Sequence, residues 1–108
     1  MIGRLRLRRD FERLRRVGRS ARSGPLLVVA MMDHEVGEAR VGFAVPRKVG
    51  GAVVRNRLRR RLRAHLPACG PAPGLYLIRV LPGAETSSGP ELRSHLERAV
   101  ERATRAAA

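Results

Sequence analysis

The chain reads as a small α+β sandwich, and three observations carry that reading. Its 108 residues, 44% of them hydrophobic, suit one domain with a single modest core. Segments of strand character alternate with segments of helical period in the order helix, strands, helix, strand, helix. Glycine and proline punctuate the boundaries. That order fits α+β layers or a split βαβ unit. The three aromatics are Phe11, Phe43 and Tyr76, so aliphatic side chains must fill most of the core.

Each element has its own signal. "MIGRLRLRR", residues 1–9, reads as a basic arm, mobile until bound, ahead of a single domain over 10–108. Asp10 is a capping residue for a short helix that ends near Gly18, a left-handed terminator. Phe11, Leu14 and Val17 share one face of it. Gly24-Pro25 breaks the chain, and "LLVVAMM" (residues 26–32) follows as a strand apolar on both faces and therefore covered. After a turn around Gly37, residues 39–45 alternate as a second strand, with Val41, Phe43 and Val45 on one side.

A basic glycine loop, "RKVGGA" (47–52), leads into "VVRNRLRRRLRAHL" (53–66), which Pro67 is expected to stop. "LYLIRVL" (75–81) is a further strand, with Tyr76 as a packing residue. Pro90 suits the first turn of a final helix whose apolar face is Leu92, Leu96, Val100 and Ala103. Glu91, Glu97 and Glu101 read as surface partners of Arg98, Arg102 and Arg105 on that helix.

Charge points to function. The formal net charge is +14, from 23 basic and 9 acidic residues. Residues 1–22 carry +7 and residues 47–63 carry +8, so nearly all the excess belongs to two segments. A footprint of this kind attracts polyanions, with nucleic acid the leading partner and an anionic membrane surface the rival. Cys69 is the single cysteine, which excludes an intrachain disulfide and fits a cytoplasmic home. Residues 26–32 are far too few to span a bilayer.

The arginine segment organises itself as a helix. At 100° per residue, Val54, Leu58, Leu62 and Leu66 fall within an arc of roughly 120°. Six arginines, with Asn56 and Ala64, fill the rest. The leucines can dock on a sheet while the guanidiniums face outward, each able to grip phosphate in bidentate fashion. A solvated charged helix is the ordinary alternative, but no acid lies three or four residues away to offset the repulsion. A completing polyanion, DNA or RNA, is the better reading.

Nothing in the spacing points to catalysis by side chains. His34, His65 and His95 are scattered, whereas acid–base cleavage of RNA wants two groups on one phosphate. Cys69 and the histidines lack metal-ligand spacing, and "RKVGGAVVRN" lacks the lysine-serine/threonine ending of a phosphate-binding P-loop.

At "VGFAVPRKVGGAVVRNRLRRRLR", residues 41–63, the chain closely resembles the bacterial ribonuclease P protein family. Arg55, Asn56 and Arg57 match the family's Arg-Asn-Arg core, Arg60 and Arg63 its downstream basic positions, Arg47 and Lys48 its basic pair, and Gly42 and Gly50 its glycines. "RDFERLRRVGRS" resembles the family's first helix and "GLYLIRV" its strand after the basic helix, so nearly the whole chain is covered. The resemblance implies a two-layer sandwich of order α-β-β(-β)-α-β-α (ribosomal protein S5 domain 2-like). Its β-α-β crossover is left-handed, against the usual rule.

It also implies the protein subunit of a ribonucleoprotein whose RNA removes the 5′ leader of precursor tRNA with Mg2+ held mainly by that RNA. Arg47, Lys48, Arg55, Asn56, Arg57, Arg59, Arg60 and Arg63 are then RNA-binding residues. Phe11, Arg15 and Val29 belong to a groove for the single-stranded leader, although Phe11 reads equally as core. There are departures. Arg15 and Val29 stand where the family usually has aromatics, so stacking gives way to charge. Gly51 replaces the usual asparagine.

Overall fold

The sheet exists because its strands obey a two-residue period that gives each face a different cover. A computed structural model describes residues 2–108, and Met1 lies outside it. In chain order the elements are β1 (Ile2–Arg4), α1 (Arg8–Val17), β2 (Arg19–Ser23), β3 (Leu26–Met32), β4 (Ala39–Ala44), α2 (Ala52–Cys69), β5 (Gly74–Val80) and α3 (Gly89–Ala107). Short 3-10 turns cover His34–Val36, Arg47–Val49 and Ala84–Thr86. The sheet order is β1-β4-β5-β3-β2. β4 runs parallel to both β1 and β5, while β3 is antiparallel to β5 and β2. α2 therefore makes the crossover of a β-α-β unit between β4 and β5.

One face carries the main core. Leu26, Val28 and Ala30 of β3, Val41 of β4, and Tyr76, Ile78 and Val80 of β5 are sealed there. α2 covers them with Leu58, Leu62 and Leu66, and α3 with Leu92, Leu96, Ala99, Val100 and Ala103. The opposite face presents Val29, Met31, Leu75 and Leu77. There α1 packs Leu14 and part of Phe11, joined by Leu5. One short helix on five strands leaves much of that face uncovered, and the groove described below is the result.

Several expectations change in detail. The segment read as a basic arm supplies β1: Ile2 to Arg4 pair with Ala39 to Val41, and the Leu5 amide donates to the Val41 carbonyl at 3.2 Å. Leu5 is only 6% exposed, so one apolar side chain between Arg4 and Arg6 ties the segment down. β2, "RSARS", is a strand without strand-like composition. It is fixed by its ladder to β3, by Ser23 Oγ lying 2.9 Å from His95 Nδ1, and by Arg102 donating to the Arg22 carbonyl at 3.4 Å.

Asp10 is not the cap of α1. Leu7 occupies that position, and Asp10 sits buried in the first turn, 3.8 Å from Arg13. Gly18 ends the helix in an extended conformation, φ −67° and ψ 153°, rather than a left-handed one. Glycine is needed there because a Cβ would strike the Leu14 carbonyl and lie 2.6 Å from Val29 Cγ1. Val17 turns to solvent instead of joining Phe11 and Leu14.

Pro67 does not stop α2. The helix runs on to Cys69 and closes at Gly70, whose φ of 56° and ψ of 48° form a left-handed cap. A proline in a last turn removes one donor and disturbs one carbonyl, which the neighbouring turns tolerate more readily than they would mid-helix.

Candidate nucleic-acid interface

The interface is built from α2 outward. Its leucines are locked into the core, so its register and rotation are fixed before any ligand arrives. Arg57, Arg60 and Arg61 are exposed, while Arg55, Arg59 and Arg63 are partly covered. Arg59 donates to Asn56 Oδ1 at 2.8 Å, which holds both side chains on the helix surface. The buried Nε of Arg55 has no partner, a donor left open in a position where hydrogen bonding is otherwise the rule. Arg47 and Lys48 stand exposed in the turn before α2, anchored by the buried Val49 next to them.

Arg63 behaves differently from its neighbours. Its guanidinium carbon lies 5.0 Å from the centroid of the Phe43 ring, and its Nη2 donates to the Val41 carbonyl at 3.3 Å. Burial, and then the nearby Arg4, lower its pKa from the usual arginine range. A like charge from the first strand thus reaches the far end of the basic helix. Arg4, Arg6, Arg59, Arg60 and Arg63 line one depression beside Phe43, with no acid in its wall.

A second depression, of about 430 Å³, lies on the sparsely covered face between α1 and the sheet. Phe11, Arg15 and Val29 all line it, together with Leu14, Gly18, Ser20, Leu77 and Arg79. Phe11 is both wall and packing residue: half-buried, it contacts the Leu5–Leu14–Leu75 cluster and faces the depression. Tyr76 does not reach this face. It is 1% exposed and its hydroxyl donates to the Ala72 carbonyl at 2.6 Å.

Most of the acids are engaged elsewhere. Glu12 pairs with Arg8, and Asp10 and Asp33 with Arg13. Glu97 turns back to Arg93 rather than forward, Glu101 meets Arg105, and Glu91 serves the α3 cap. His34, His65 and His95 sit on three different elements. Among the described residues no group of three or more His, Cys, Asp or Glu side chains is placed to hold a metal. Burial, and secondarily Glu97, push the Cys69 thiol up to about 11, so it is a protonated packing group at neutral pH.

Arg4, Arg6, Phe43 and Arg79 line these surfaces without standing among the residues expected from the sequence. Arg4 and Arg6 carried a usable signal, since they flank a lone leucine in strand alternation. So did Arg79, the one charge inside an apolar strand.

The ribonuclease P family model matches residues 3–104, from the first strand into the last helix. The chain belongs to the ribonuclease P protein family. It is 43% identical over 112 aligned residues to the ribonuclease P protein component of Streptomyces avermitilis, covering 92% of this chain and 89% of that one. To that of Acidothermus cellulolyticus it is 41% identical, covering 94% and 89%. Among solved structures, the ribonuclease P protein of Thermotoga maritima superposes with a TM-score of 0.80 at 25% identity, covering 92% of this chain and 96% of that one. The Staphylococcus aureus protein gives 0.83 at 22% identity, covering 93% and 94%, a likeness of fold. As a ribonuclease P protein, the chain is the protein subunit of a tRNA-processing ribonucleoprotein endonuclease and associates with its RNA subunit. No helix of the described residues is long and apolar enough to cross a membrane.

Proposed function

We propose that α2 and the preceding turn bind the catalytic RNA, and that the groove under α1 takes the single-stranded 5′ leader of precursor tRNA. One observation carries this reading. The leucines of α2 are sealed in the core while Arg47, Lys48, Arg55, Asn56, Arg57, Arg59, Arg60 and Arg63 form a cationic surface with no carboxylate on the helix. Phosphates complete such a surface, and the bidentate fork of arginine suits them. The groove holding Phe11, Arg15 and Val29 is open, partly apolar and lined by two arginines, the chemistry of a single strand held by backbone charge and limited stacking.

Hydrolysis in this reading belongs to the RNA. Among the described residues the three histidines sit on separate elements, no group of three or more possible ligands gathers for a metal, and Asp10, Glu12 and Asp33 are already paired with arginines, a poor fit to a Mg2+ site. Magnesium then sits with RNA phosphates, and the protein contributes binding and orientation. In this reading the work is done in the cytoplasm.

Cleavage of precursor tRNA by the matching RNA at low magnesium, with and without the chain, tests the reading. Stimulation that falls away when the leader is shortened to a single nucleotide supports it. Equal stimulation of substrates with one-nucleotide and longer leaders would remove the groove from the account.

A further inference from the structure

The cationic surface continues across the sheet. Arg79 lines the groove with Phe11 and Arg15, and it also lines an adjoining depression with Phe43, Lys48 and Arg59. Arg79 is the residue at which the groove under α1 meets the surface of α2.

Its placement is unusual for a surface arginine. β5 is the central strand of five, and Arg79 is its one exposed residue. Its cross-strand neighbours are Leu27 on β3 and Ala44 on β4, neither of which carries charge. Among the described residues no carboxylate pairs with it. A cation on a central strand would ordinarily be matched across the ladder. Here the small side chain of Ala44 leaves room beside it, and the charge stays open to solvent.

We propose that Arg79 is a positioning residue for the 5′ leader, its guanidinium holding a leader phosphate where the strand leaves the groove and turns toward α2. The assignment rests on the leader reading of the groove. With Phe11 as the single aromatic in the wall, the grip acts on the backbone rather than on the bases. Leader binding is therefore steep in salt and tolerant of base identity.

The test uses the holoenzyme reconstituted from the full chain and its RNA. Affinity is measured for precursor tRNA with a leader of roughly ten nucleotides and for mature tRNA, across a salt series. Arg79→Ala is expected to weaken precursor binding about tenfold and leave mature tRNA unchanged. The slope of log affinity on log salt should fall by about 0.7 in magnitude. Arg79→Lys should recover most of the loss, and a leader of abasic nucleotides should show the same tenfold effect.

Unchanged precursor binding in Arg79→Ala overturns the assignment, as does an equal loss on mature tRNA, which would place the contact on the catalytic RNA or tRNA body. If the wild-type holoenzyme itself fails to distinguish precursor from mature tRNA, the leader reading of the groove fails, and Arg79 with it. If the wild type distinguishes them and Arg79→Ala does so equally well, the Arg79 assignment alone fails.

Discussion

α2 and α3 lie on the same face of the sheet, have 18 and 19 residues, and bury comparable leucine seams, yet their outer surfaces are finished in opposite ways. α3 closes its own electrostatics. Ser88 and Glu91 form a reciprocal cap, with bonds of 3.2 and 2.8 Å, and Arg93–Glu97 and Glu101–Arg105 pair along its side. α2 has no side-chain cap, no acid in its first turn and no ion pair. Packing holds both helices; of the two, only α3 is also held by a side-chain cap and by ion pairs along its own surface. The difference shows which helix is finished as part of the domain and which is finished by a partner.

If packing is common to both, removing it must hurt both alike. Leu62→Ala and Leu96→Ala, each at a fully buried site, should each cost about 3 kcal/mol in chemical denaturation. A cost at Leu62 far below that at Leu96 would mean α2 is only loosely docked before RNA binds. The outer surfaces should then separate the helices. Replacing Arg55, Arg57 and Arg60 together by alanine is expected to weaken binding to the catalytic RNA about a hundredfold and flatten its salt slope by about 3. The matching triple change of Arg93, Arg98 and Arg105 on α3 should leave that affinity close to wild type, and a comparable loss there would erase the distinction.

Smaller effects sharpen the contrast at the helix starts. Ser88→Ala should lower stability by about 1 kcal/mol. Gly51, at the start of α2, has an extended backbone and open space around its Cβ position, so Gly51→Asn should raise stability by a few tenths of a kcal/mol. Of these two helices, acid should loosen only α3. The hydrogen bond from the Ser88 backbone, and next its hydroxyl, hold Glu91 below the usual carboxylate range. Its contribution is complete above the unfolded pKa and disappears as pH falls through the lowered one. Amide exchange at residues 88–92 should quicken there while exchange at 52–56, beside no carboxylate, keeps its pH trend.

The helical period of 54–66 was legible because three leucines in one seam dictate both the helix and its buried side, and β3, β4 and β5 were legible from their apolar runs. β1 and β2 were not. Ile2–Arg4 and Arg19–Ser23 owe their conformation to ladder bonds with distant strands; the alternation around Leu5, just past β1, is the one local hint. Pro67 misled because its effect depends on how near the helix end it falls. The basic positions of α2 follow from one helix, whereas Arg4, Phe43 and Arg79 join the site only through the sheet order, which brings residues 4, 43, 63 and 79 into one neighbourhood. Phe11, Arg15 and Val29 were placed together by resemblance, and the packing of α1 over β3 gives them a common wall.

The three-residue β1 has a consequence beyond its arginines. By pairing with Ala39 to Val41 it occupies the backbone groups that β4 would otherwise offer at an open border. Trimming the chain back to residue 7 would strip that shield, uncovering a short template able to recruit the same stretch of another molecule. Self-association, rather than simple loss of a few charges, is the expected result of such a deletion, and sedimentation at rising concentration would reveal it.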